Sequence, residues 1–125
     1  MNYTTIEQSK KLVDLGLNTE TADMYYPWDF ENGKLCKIPI AKNLGYLECW
    51  SLESLIEISK VCTRLECYLR DDKKWNIFAT CEDNVFNPFY TTHPKGYNSQ
   101  LEAYYDLVCW LLENNYIENP HSIME

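Results

Sequence analysis

Positive charge is scarce in this chain. Eleven Lys and Arg stand against nineteen Asp and Glu, which leaves a net charge of −8 and an isoelectric point near 4.7. No basic run is longer than the pairs Lys10-Lys11 and Lys73-Lys74. Nucleic acids are held chiefly by Lys and Arg that displace counterions from phosphates, so direct binding to DNA, RNA or an anionic membrane is disfavoured. Glycine is sparse as well, with four in 125 residues. A loop that wraps phosphates needs several close together, and neither such a loop nor a dinucleotide fingerprint is present. Long apolar runs are also missing: the least polar stretch, 103–112, is interrupted by Asp106 and falls short of the roughly 18 residues of a membrane span. The first residues, Met1-Asn2-Tyr3-Thr4-Thr5-Ile6-Glu7-Gln8, lack the basic and apolar regions of a secretion signal, and a cytoplasmic location is expected from this.

Groups for chemistry are few. The two histidines are His93, ahead of Pro94 in an expected loop, and His121, in a tail expected to fray from about residue 117. A cysteine nucleophile needs a base beside it, and one loop histidine among six cysteines is a thin signal for that. Cys36, Cys49, Cys62, Cys67, Cys81 and Cys109 form no Cys-x-x-Cys pair, and the histidines form no His-x-x-x-His pair. Structural zinc sites draw their ligands from such pairs, so no metal and no cofactor is expected. Several of these cysteines fall inside apolar periodic segments and read as buried, reduced thiols. The acidic pairs Asp71-Asp72 and Glu82-Asp83 lie in expected turns, where carboxylates are ordinarily solvated.

What is present is an ordinary globular composition, 46% hydrophobic and 24% charged, at a length that suits one domain spanning 1–125. A helix over about 6–15 follows from Thr4 or Thr5 with Glu7 or Gln8 as a capping box, and Ile6, Ser9, Leu12 and Val13 share its inner face. Gly16 ends it and Leu17 packs back, ahead of one short turn through Asp23. A strand pair is expected around Asn32-Gly33, with Pro39 confining one strand to an edge. A second helix runs from about Leu52 to Lys60. Next, Leu65, Cys67 and Leu69 alternate with Glu66, Tyr68 and Arg70, and Trp75, Ile77 and Ala79 alternate with Asn76, Phe78 and Thr80. The Asp71–Lys74 segment joins them as a hairpin. Residues 81–97 read as an irregular loop. A last helix starts at Ser99, runs to about Glu113 or Asn114, and buries Leu101, Tyr104, Tyr105, Val108, Leu111 and Leu112. The fold class is therefore α+β: two longer helices and one or two short ones packed on a small antiparallel sheet.

Two features point outward. Glu102, Asp106 and Glu113 fall within about 40° of one another on the last helix, with Trp110 on their flank, and no Lys or Arg occurs from Tyr97 onward to offset them. Their repulsion is relieved by water or by a basic partner surface. Aromatics make up 18 of 125 residues. Tyr and Trp serve interfaces as readily as cores, so Tyr25, Tyr26 and Trp28 are candidates for either, and Phe86, Phe89 and Tyr90 also lie where periodicity is poor.

The blocks Glu7-Gln8-Ser9-Lys10-Lys11-Leu12-Val13-Asp14-Leu15-Gly16-Leu17, Thr21-Ala22-Asp23-Met24, Cys49-Trp50-Ser51-Leu52-Glu53-Ser54-Leu55 and Tyr104-Tyr105-Asp106-Leu107-Val108-Cys109-Trp110-Leu111-Leu112-Glu113 resemble a group of small proteins of unassigned activity encoded in prophages and other mobile elements of gut bacteria. The resemblance implies a setting and supplies no catalytic residue. The expected function is a non-enzymatic protein-interaction module, an accessory protein that binds a basic protein partner; an acidic mimic of nucleic acid is one form of it. The alternative is a small hydrolase-like or ligand-binding enzyme built on the 81–97 loop. The sequence leaves the oligomeric state open. Purified protein should carry no stoichiometric zinc, and its thiols should titrate after denaturation without reductant. Elemental analysis showing about one metal per chain, or an absence of titratable thiol, would overturn this.

Overall fold

The computed structural model describes residues 3–26, 36–37 and 47–117. Helix α1 spans Ile6–Asp14. Thr5 Oγ1 accepts the Gln8 N–H at 3.1 Å and Gln8 Oε1 accepts the Thr5 N–H at 2.9 Å, so the capping box expected from the sequence forms with Thr5 and Gln8. At the other end Gly16 takes φ +94°, a left-handed conformation that is cheapest for glycine. The Leu17 N–H then reaches the Leu12 carbonyl at 3.0 Å, and Leu17 is buried. A single 3-10 turn, Thr19–Thr21, follows, with Asn18 Oδ1 accepting the Glu20 N–H at 3.0 Å.

Strand β1, Met24–Tyr26, lies between β2, Cys36–Lys37, and β3, Leu47–Cys49, antiparallel to both. Its register on β2 pairs Met24 with Lys37 and Tyr25 with Cys36. A two-residue turn at Asn32-Gly33 would instead set Tyr25 opposite Ile40; those turn residues and Pro39 lie outside the described residues. Strand β3 was not anticipated, because no alternating run or turn dipeptide flags three residues that are defined only by pairing with a distant strand.

Helix α2, Leu52–Ile58, is capped by Ser51 Oγ, which accepts the Ser54 N–H at 3.1 Å, and it tightens into a 3-10 turn at Ser59–Val61. The expected hairpin follows as β4, Arg64–Leu69, and β5, Trp75–Cys81, with Leu69 opposite Trp75 and Arg64 opposite Thr80. The reading of 81–97 as wholly irregular is corrected. Strand β6, Asn84–Phe86, returns on β5 with Asn84 opposite Cys81, and a 3-10 turn forms at Pro88–Tyr90. The turn into β6 puts Glu82 at φ +55°; without Gly or Asn there, the sequence carries no hairpin signal.

Helix α3 spans Gln100–Glu113, with Ser99 Oγ accepting the Glu102 N–H at 3.1 Å. Asn115, at φ +62°, closes it in place of the glycine such an end usually uses, and the Tyr116 N–H reaches the Leu111 carbonyl at 2.9 Å. The tail expected to fray is, beyond residue 117, outside the described residues, as is His121. Both α2 and β5 pack on α3, and the core joins Leu12, Trp50, Leu55, Ile77, Ala79, Leu107, Val108 and Leu111. The class is α+β, with two small antiparallel sheets, β2-β1-β3 and β4-β5-β6, where one was expected. No helix among the described residues is long and apolar enough to cross a membrane.

Because Leu111 is fully buried against this core, Leu111→Ala should lower unfolding free energy by about 2–5 kcal/mol through lost transfer energy and a residual cavity. A denaturant midpoint that stays at the wild-type value would show that α3 is packed by another face.

Candidate functional site

The acidic side of α3 is less open than the sequence implies. Glu102 is half-buried and accepts the Asn98 N–H at 3.2 Å, so it works as part of the helix cap. Asp106 accepts the Tyr97 hydroxyl at 2.6 Å and lies 3.6 Å from His93 Nδ1, whose ring stacks on Tyr97 at 4.5 Å between centroids. Trp110 is half-buried between Phe86 and Tyr116, with ring centroids 5.4 and 5.5 Å away. Cys109, only ~20° from Glu102 around the helix, is 2% exposed. Of the three acids, Glu113 alone is exposed. An uninterrupted solvent-facing stripe is thus corrected to one free carboxylate and two engaged ones, because the segment around 93–98 folds back over this side of the helix.

Tyr25 and Tyr26 are buried, and the Tyr26 hydroxyl donates to the Thr4 carbonyl at 3.0 Å. They belong to the interior and present no surface. Trp28 lies outside the described residues.

The exposed aromatics gather elsewhere. Strand alternation turns Leu65, Cys67, Ile77 and Ala79 of the β4–β5 hairpin toward α3, and leaves Arg64, Glu66 and Tyr68 with Asn76, Phe78 and Thr80 on the outer face. The Pro88–Tyr90 turn then crosses the end of that face. Between them lies a cleft of about 370 Å³ lined by Glu66, Tyr68, Arg70, Phe78, Phe89 and Tyr90 together with Asn76, Ile77 and Asn87. Tyr68 is 53% and Tyr90 79% exposed.

Each wall has a fixed anchor. Asn76 Nδ2 donates to the Tyr68 hydroxyl at 3.0 Å. Phe89 and Tyr90 meet edge to face at 4.9 Å. The Arg70 guanidinium lies over the Phe89 ring at 5.6 Å while donating to Asp72 at 2.9 Å and to the Pro94 carbonyl at 3.1 Å, so one cation ties the hairpin to the 88–94 segment. Arg64 sits over Phe78, also at 5.6 Å. Behind the cleft, Trp75 and Tyr97 exchange two backbone bonds of 2.8 Å. Gly96, at φ +79°, permits that approach, since a Cβ there would meet Lys74 Cβ and the Trp75 carbonyl at 2.9 Å.

The cleft's polar side-chain groups are one carboxylate, one guanidinium already paired, two carboxamides and two tyrosine hydroxyls. Such a set orients a bound group by hydrogen bonds and flat apolar contact. His93, the sequence's candidate base, is exposed beside Thr92 and Asp106 and is not among the lining residues. Among the described residues no group of three or more His, Cys, Asp or Glu is arranged to hold a metal ion. Sequence reasoning did not single out this site, although its signal was present: the alternation already placed Tyr68 and Phe78 on the polar side of the hairpin. Comparison of the chain with protein-family models, with curated proteins and with solved structures finds no match in any of the three.

Of the five described thiols, Cys49, Cys81 and Cys109 are buried and Cys62 and Cys67 half-buried, and none lines the cleft. Burial pushes Cys49 up to about 12, helped by the Asp23 carboxylate, and holds Cys62, Cys67 and Cys109 at about 11. Burial, reinforced by the bond to Asp106, likewise keeps the Tyr97 phenol protonated far above its usual range. A raised folded-state value means that the folded chain holds protons which the unfolded chain releases. The stability these groups contribute should therefore be fully present below their unfolded values near pH 9 and be lost as pH climbs through 9–12. Chemical denaturation at a series of pH values tests this, and a midpoint that rises or stays flat across that window would contradict it.

Proposed function

We propose that this chain is a non-enzymatic protein-interaction module, an accessory protein of a mobile element, that engages a basic protein partner through the aromatic cleft between the outer face of the β4–β5 hairpin and the Pro88–Tyr90 turn. The observation that carries the reading is a set of aromatic side chains held open to solvent by fixed anchors. Tyr68, Phe89 and Tyr90 remain exposed although each has a defined neighbour in Asn76, Arg70 or the adjacent ring. Preorganised aromatics lose little conformational freedom when covered, and Tyr is among the residues that dominate binding energy at interfaces. The cleft's volume lies near the lower end of pocket sizes, which suits one or two inserted side chains of a partner. The net charge of −8 favours encounter with a basic protein. The mobile-element setting is supported by the sequence blocks described above.

Affinity capture with quantitative mass spectrometry from the cell that encodes the protein tests this. Tyr90→Ala and Tyr68→Ala replace exposed rings, so both variants should keep the wild-type melting temperature while recovering at least about tenfold less of the wild-type partner. Recovery unchanged in both variants but lost on Glu113→Lys would move the contact to α3 and overturn the assignment of the cleft.

A further inference from the structure

Among the described residues, one edge of strand β4 is open. The Arg70 N–H donates to the Lys74 carbonyl at 2.7 Å, and on the far side of β5 the Trp75 N–H and carbonyl turn to Tyr97. In an antiparallel ladder, hydrogen-bonded pairs alternate with non-bonded ones. Arg64, Glu66, Tyr68 and Arg70 therefore bond toward β5, while Leu65, Cys67 and Leu69 aim their N–H and carbonyl groups away from it. Among the described residues no strand lies beyond β4. Natural sheets blunt such an edge with lysine, proline, a bulge or an inward charge. The sequence Arg-Leu-Glu-Cys-Tyr-Leu has no lysine or proline, and it ends on an exposed apolar residue, Leu69, at 50%.

We infer that β4 pairs with β4 of a second copy of this chain, antiparallel, about a two-fold axis at Leu65. The strand is self-complementary about that residue. Arg64 and Glu66 flank it, so the two-fold sets each Arg64 against the Glu66 of the other copy, twice. Parity agrees at the centre, because Leu65 meets Leu65 through outward-facing backbone groups; the Thr63 N–H is already given to the Thr80 carbonyl at 2.9 Å, so the new ladder is carried by Leu65 and by the outward groups of Cys67. Neighbouring axes are worse: one at Arg64 or at Glu66 stacks like charges on each other, and one at Cys67 sets Arg64 against Arg70, all unfavourable as cross-strand neighbours. An axis at Tyr68 would set Glu66 against Arg70, but Arg70 is already committed to Asp72, Pro94 and Phe89. The Arg64–Glu66 contact within one chain, 3.4 Å and exposed, is readily exchanged for the pair across the axis. Pairing joins two three-stranded sheets into one of six, with both aromatic clefts on the same face. The inference does not depend on what the cleft binds.

Sedimentation velocity of the full chain, under reducing conditions and over a range of concentrations, reads this directly. Wild type should form a dimer. Arg64→Glu alone and Glu66→Arg alone should each weaken it roughly tenfold or more, an equimolar mixture of the two variants should associate again, and the double variant R64E/E66R should dimerise like wild type. Because both side chains are exposed, circular dichroism should show all three variants folded. A wild-type protein monomeric at millimolar concentration, a dimer indifferent to both single reversals, or a folded double variant that stays monomeric overturns the proposal. The last result would be expected of an axis at Tyr68, where the swap sets a carboxylate at position 64 against Asp72.

Discussion

The structure depends on satisfying the polar groups that come with burying Trp50. The indole is wholly enclosed, and its N–H donates to Thr21 Oγ1 at 2.8 Å. Its backbone N–H donates to Thr4 Oγ1 at 3.0 Å, while its carbonyl accepts the Thr4 N–H at 2.8 Å. Thr4, itself fully buried, shares its hydroxyl with Ser9 at 2.8 Å and gives its carbonyl to the Tyr26 hydroxyl. One residue on, the Ser51 N–H and hydroxyl both donate to the Asp23 carboxylate, and Ser54 Oγ donates to the Thr21 carbonyl at 2.6 Å. An unpaired buried donor costs about 1–3 kcal/mol, so each of these groups fixes the position of another. The first residues before α1, the turn after it, β1, β3 and the start of α2 are thereby locked into one arrangement.

That lock accounts for what the sequence does and does not disclose. Helices α1 and α3 and the β4–β5 hairpin are local structures: their caps, periodicity and turn lie within a few residues of one another, and a reading of Thr5, Gln8, Gly16, Ser99 and the alternation 65–80 finds them. Strand β3 exists because Leu47–Cys49 pairs with residues more than twenty positions earlier, and nothing within 47–49 requires it. Strand β6 is hidden for the opposite reason. Its contacts are local, but the turn uses Glu82 in a left-handed conformation, which residue preference disfavours and which the pairing of Asn84–Phe86 with β5 imposes. The helix end at Asn115 shows the same override on a smaller scale.

The candidate site was only half legible, and electrostatics explains the missing half. From composition, three carboxylates on one side of α3 look like a free acidic surface. In the fold Asp106 accepts a short bond from Tyr97 and faces His93, and Glu102 serves the helix N-terminus, where a negative charge is favourable. Two of the three charges are thus used to hold the 93–98 segment against α3. That same segment supplies the Pro94 carbonyl to Arg70, and Arg70 in turn supports Phe89. Two of the acids that looked like a binding surface stabilise the scaffold behind the cleft, and Tyr25 and Tyr26, which suited a core or an interface equally, fill the interior.

Strand β4 is where these threads meet, since a strand offers three independent surfaces and β4 uses each differently. Its inner side, Leu65 and Cys67, packs toward α3 and contributes to stability. Its outer side, Glu66 and Tyr68, forms one wall of the aromatic cleft. Its backbone edge is left unpaired among the described residues. A net charge of −8 opposes indiscriminate contact between copies, so any association must be carried by a short surface whose own charges cancel. Arg64 and Glu66 make β4 such a surface. Specific pairing at that edge is compatible with a strongly acidic chain because repulsion between copies is smallest in arrangements that centre the neutral strand on the contact and keep the acidic surfaces apart.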